Sequence, residues 1–186
     1  MLKALIEADR YLKWLDVFLA AMAGAAILTM MAITGADVLM RYAFNNPLEW
    51  VYDLTIHYLL IAGFFLGLSY TLRLNYHISV DFFAQIMNQH AYHAALAIGS
   101  LAASFVFFWV AWLGAEEAWT SWSNGDVLFG AVIWPIWPGK ILIPLGMAPL
   151  ALRSLHRALA HLCASLDPSV ADKLEIGIDA HAIPQE

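Results

Sequence analysis

Residues Val17–Ala36 read VFLAAMAGAAILTMMAITGA, twenty positions without a charge between Asp16 and Asp37. As a helix, about twenty residues rise about 30 Å, the thickness of a bilayer's hydrocarbon core. The run is apolar all round rather than on one stripe, so it predicts a membrane-spanning helix. Two similar runs follow. Leu54–Leu72 holds 19 residues between Asp53 and Arg73, with His57 inside it, and Ala94–Ala115 holds 22 and ends at Glu116–Glu117. Ile141–Leu152 is shorter, with 12 residues between Lys140 and Arg153. Extended to Ala160 it reaches spanning length, with Arg153 and Arg157 snorkelling towards headgroups. Pro144 and Pro149 are tolerated in such a helix.

Composition agrees. Of 186 residues, 62% are hydrophobic and 13% charged, and the mean hydropathy is +0.68. Soluble domains are about 45–50% apolar and about 25% charged. A net charge of −6, from 9 Lys+Arg against 15 Asp+Glu, leaves no basic stripe for nucleic acid. The lone Cys163 excludes an internal disulfide framework and a Cys-rich metal site. The predicted fold is an all-α membrane protein with four transmembrane helices, at about 14–40, 49–73, 91–117 and 137–160. Residues 14–160 form the transmembrane domain, between an amphipathic segment at 1–13 and a polar tail at 161–186.

Orientation follows from the cations. Lys3, Arg10, Lys13, Arg73, Arg153, Arg157 and Lys173 fall on one side, and Arg41 and Lys140 on the other. Seven against two places both termini in the cytoplasm. Trp50, Trp119, Trp122, Trp134 and Trp137 then gather at the outer interface, and Tyr11, Trp14, Tyr70, Tyr76 and Tyr92 at the inner one. The first apolar run exceeds a signal peptide's core, and Glu7, Asp9 and Asp16 precede it, so it reads as a retained helix. Leu2, Leu5, Ile6 and Leu12 among Lys3, Glu7 and Arg10 have helical spacing. They suit an amphipathic helix on the cytoplasmic surface, or a plain extension of span one. Trp119–Pro138 reads as an outer loop too apolar to float in water. No internal repeat suggests a transporter of two inverted halves.

The polar residues near the membrane are few. Asp37 and Arg41, spaced i, i+4, suit an ion pair that either neutralises itself near the headgroups or docks a partner. Glu49, Asp53 and His57 recur every four residues and drift slowly along one face of span two, with Gly63 and Gly67 continuing on that side. Ionisable groups avoid lipid and a Gly-xxx-Gly pair admits another helix, so this side faces protein. The protein is this chain's own bundle or a second subunit, and the row packs or relays protons. Lys140 is a candidate partner for the Glu116–Glu117 pair.

Seven histidines raise the alternative of a haem-binding four-helix membrane anchor of an electron-transfer complex, with a cross-bundle pair such as His93 and His156. A small homodimeric exporter would need a carboxylate near the bilayer midplane, whereas Asp37 and Asp53 lie at span ends. No phosphate-cradling glycine loop, nucleophile elbow, His-Glu-x-x-His or cysteine pair marks an enzyme. Neither a cofactor nor a metal is expected.

The stretch Arg41-Tyr42-Ala43-Phe44-Asn45-Asn46-Pro47-Leu48-Glu49-Trp50, followed by Asp53-Leu54, resembles the signature of the small permease (DctQ-like) subunit of tripartite ATP-independent periplasmic (TRAP) transporters. His77-Ile78-Ser79-Val80-Asp81 after span two and Pro144-Leu145-Gly146 in the last span are similar to that family as well. At Asp53 the family more often carries Glu, so the charge is kept with a shorter reach. The Trp-rich outer loop is similar to branches associated with 2-oxo acid, hydroxy acid or mannitol-type substrates.

The resemblance implies a division of labour in a bacterial inner membrane. A soluble periplasmic protein captures an organic anion, and a large permease subunit binds sodium and substrate and moves as an elevator. The small subunit is a fixed, noncatalytic scaffold among membrane lipid. By carry-over, Arg41, Tyr42, Trp50, Asp53, His77 and Asp81 serve subunit docking and local architecture, with Asp37, Glu49, His57, Gly63 and Gly67 added from the spacing argument.

Overall fold

The computed structural model describes residues 2–74, 89–130 and 132–166, with side chains described from residue 7 to 74, 90 to 130 and 132 to 165. His77 and Asp81 lie outside the described residues. Helix α1 runs unbroken from Leu2 to Phe44, so the amphipathic segment and the first span form one helix of 43 residues. At 1.5 Å per residue it is about 65 Å long, well beyond a bilayer's thickness. It stops where local chemistry requires. Asn45 takes a left-handed φ of 50°, the Asn46 N–H closes on the Met40 carbonyl, and Pro47 cannot continue a helix.

The second helix comprises α2 (Trp50–Leu54), a π-helical turn over Thr55–Leu59 and α3 (Leu60–Arg73). Helix α4 spans Gln89–Asn124 and ends in a Schellman motif. Gly125, at φ 66°, donates its N–H to Trp122, and the Asp126 N–H reaches Ser121. The expected loop at Trp119–Pro138 is therefore shorter, because α4 absorbs its first two Trp residues. What remains holds a short antiparallel hairpin pair, β1 (Val127–Leu128) against β2 (Trp134–Pro135). Helix α5 (Trp137–Leu166) follows, continuing past the expected boundary at 160 and containing Pro144 and Pro149.

Among the described residues, three helical segments are long and apolar enough to cross a membrane: Glu7–Phe44 within α1, Trp50–Arg73, and His90–Asn124 within α4. The fourth helix, α5, is not among them, carrying Lys140, Arg153 and Arg157 besides its prolines. The helices pack in the order α1, α3, α5, α4, each chiefly against its neighbours in that row. Only 17% of the apolar window of each candidate span is buried, so most of its surface is left to lipid or a partner.

Small residues hold the row together. On α4, Ala97, Ser104, Ala111 and Ala118 are buried at intervals of seven, a seam that brings the α5 backbone close. Ser104 Oγ donates to the Ala151 carbonyl at 2.9 Å, and Gly114 lies against the Pro144 ring. Helix α5 approaches the second helix through Gly139 and Gly146, where a β-carbon would overlap the carbonyl oxygens of His57 and Phe65. Between α1 and α3 the core is Leu19, Ala23, Ala62 and Leu66.

Candidate docking site between the first two helices

The chain reverses between α1 and α2, and one carboxylate organises the reversal. Asp37 Oδ2 accepts from Arg41 Nη2 at 2.8 Å, and its Oδ1 accepts the Leu48 N–H at 2.7 Å. The expected i, i+4 pair is thus present, and the same carboxylate also ties the last turns of α1 to the link leading into α2. Asp37 is buried while Arg41 is exposed. Beside them lies an open groove of about 530 Å³, lined by Thr34, Asp37, Arg41, Leu48, Glu49, Tyr52 and Thr55 among others. Glu49 stands at the N-cap of α2 without a side-chain capping bond, and Tyr42 and Tyr52 are exposed at the rim. Trp50 is half-buried. Thr55 Oγ1 is buried and, among the described residues, has no hydrogen-bond partner.

Glu49 and Asp53 have different neighbours. The step from Glu49 to Asp53 turns about 40° around an α-helix, and the π-helical turn over Thr55–Leu59 intervenes before His57. Glu49 faces the groove, the Asp53 carboxylate lies against Gly130 of the hairpin, and the His57 carbonyl meets Gly139 of α5. Among the described residues the three side chains share no hydrogen bond with one another. Tyr58, next in the π turn, donates to the Pro135 carbonyl and packs on Trp134 with ring centroids 5.7 Å apart. Gly63 and Gly67 turn towards α1 of the same chain, where a β-carbon would meet Ile27 at 2.9 Å and Ala23 at 3.8 Å respectively. The glycine face therefore meets its own bundle.

Two other expectations concern charge and histidine. Lys140 Nζ donates to Glu117 Oε1 at 2.6 Å, the pairing read from the sequence. His93 pairs with His161 rather than with His156. Their Nδ1 atoms are 3.2 Å apart, the rings stack at 28°, and both residues are buried. Direct contact leaves no room between the rings for an iron and its macrocycle.

The sequence reading missed a buried ion network at the opposite end of the molecule. Arg153 does not snorkel; it is 7% exposed. Its Nη2 pairs with Asp16 Oδ2, and its Nη1 lies 3.5 Å from Asp9 Oδ1, which Lys13 holds from the other side at 3.0 Å through Oδ2. Ser69 Oγ donates to Asp16 Oδ1 at 2.5 Å, so α1, α3 and α5 meet at one carboxylate. A signal was present: the orientation argument puts Asp16, Ser69 and Arg153 at the same end of their helices.

A family model described as tripartite ATP-independent periplasmic transporters, DctQ component, matches residues 30–164. The matched stretch begins within α1, contains the whole groove and ends near the close of α5. No curated protein and no solved structure matches the chain.

Proposed function

The chain belongs to the DctQ component family of tripartite ATP-independent periplasmic transporters, and we propose that it is the noncatalytic scaffold subunit of a sodium-coupled, binding-protein-dependent importer of an organic acid anion. In this reading it sits in a bacterial inner membrane with four spans and both termini cytoplasmic, and it stabilises a large elevator-type permease subunit. The periplasmic substrate-binding protein meets it only through the complex. Substrate and sodium are handled by the other components.

The observation that carries this reading is the ledge beside the groove. A carboxylate bonded twice makes the link between α1 and α2 stiff, and it presents Arg41, Glu49, Tyr42 and Tyr52 next to wide apolar helix faces. A rigid rim of charge and tyrosine on an apolar flank suits a lasting protein contact, since aromatic and Arg anchors dominate such interfaces. Asp37, Arg41, Tyr42, Glu49 and Trp50 are assigned to docking. Asp53, His57, Gly63 and Gly67 are assigned to local architecture, and His77 and Asp81 keep the docking role implied by resemblance.

Co-expression with the large permease subunit tests the reading. A stable hetero-complex is expected, with Arg41→Glu reducing co-purification of the large subunit and uptake lost when this chain is deleted. A chain that purifies only as a homo-oligomer and never retains the large subunit overturns it.

A further inference from the structure

The network around Arg153 does more than fill a core. Among the described residues, helix α5 is the one long helix whose composition does not suffice for a membrane span, and Arg153 closes its apolar stretch. A guanidinium buried between helices is costly without a counter-charge, and a partnering carboxylate offsets much of that cost. Asp16 and Ser69, both fully buried, belong to α1 and α3, which precede α5 in the chain and so leave the ribosome first. The match to the family begins at residue 30, so Asp16 stands outside it.

We propose that the Asp16 carboxylate, oriented by Ser69, is the receptor that accepts Arg153 and thereby draws α5 across the membrane, making the last span conditional on the first. The inference rests on reading α5 as a span with a cytoplasmic C-terminus. Gly139 and Gly146 then let the admitted helix settle against the second helix.

The test uses the full chain with a C-terminal reporter that fluoresces only in the cytoplasm, normalised to total protein by immunoblot. The unaltered chain is expected to fluoresce; if it is dark, the reading of α5 as a span fails, and this inference with it. Asp16→Leu is expected to lower the signal several-fold, because Arg153 loses its receptor. In an Arg153→Leu background, where α5 is apolar enough to enter unaided, Asp16→Leu is expected to leave the signal unchanged. The exchange Asp16→Arg with Arg153→Asp is expected to restore it. An unchanged signal in Asp16→Leu overturns the proposal. So does an equal loss in the Arg153→Leu background, which would place the damage in α1 itself.

Discussion

Gly146 of α5 lies so close to the Phe65 carbonyl oxygen that a β-carbon at that position would overlap it, and Gly139, two helical turns earlier, stands in the same relation to the His57 carbonyl. At these two glycines, unlike Gly63 and Gly67, a neighbouring backbone carbonyl occupies the place a β-carbon would need. A backbone carbonyl cannot swing aside as a flexible side chain can. Gly146→Ala is expected to lower thermal stability in detergent by about 1–3 kcal/mol, the usual cost of overpacking. Gly99→Ala, where a β-carbon meets open space, is the control and is expected to be neutral or slightly stabilising.

Gly67 faces Ala23 at an ordinary contact distance of 3.8 Å. Gly67→Ala is therefore expected to fall within about 1 kcal/mol of the parent, with improved helix propensity offsetting any crowding. Gly67→Leu is expected to force α1 and α3 apart. Its signature is a lower melting temperature of the isolated chain, before any partner is added.

The Leu48 N–H depends on Asp37. Asp37→Ala removes both the Arg41 ion pair and the cap on the link, whereas Asp37→Asn keeps an acceptor for Leu48. Hydrogen exchange at the Leu48 amide is expected to accelerate roughly tenfold in Asp37→Ala and much less in Asp37→Asn. Equal exchange in both variants would show that the ion pair, not the cap, orders the link.

His93 and His161 share one contact, and His161 Nε2 is buried without a partner among the described residues. Replacing both rings with apolar groups removes polar atoms that the core satisfies poorly. The double variant His93→Phe with His161→Leu is expected to melt within about 1 kcal/mol of the parent. His93→Ala alone is expected to be clearly less stable. The purified chain is expected to show no Soret band.

The seam on α4 makes a further demand. Ala111 is buried at the centre of the seven-residue series facing α5. Ala111→Leu is expected to destabilise the α4–α5 pair by about 1–3 kcal/mol, whereas Val106→Leu on the exposed flank is expected to change little. Thermal unfolding followed by size-exclusion chromatography separates the two.

By itself the sequence determined whatever depends on neighbours along the chain. Three apolar runs marked the candidate spans, and i, i+4 spacing joined Asp37 to Arg41. Opposite charge at matching ends was enough to suggest Lys140 for the Glu116–Glu117 pair, and Glu117 is the one it meets. The residues proposed for docking were legible only as a motif, and the four-residue row from Glu49 to His57 looked like one surface because its drift is slow. Tertiary structure set Glu49 at a groove and Asp53 against a hairpin, and turned Gly63 and Gly67 inward. It also chose His161 over His156 and buried Arg153 on Asp16. Those outcomes depend on which helices are neighbours and how each is rotated about its axis. Hydropathy and charge set the depth of a residue in the membrane, but they are nearly silent on its azimuth, which packing of small residues between helices decides.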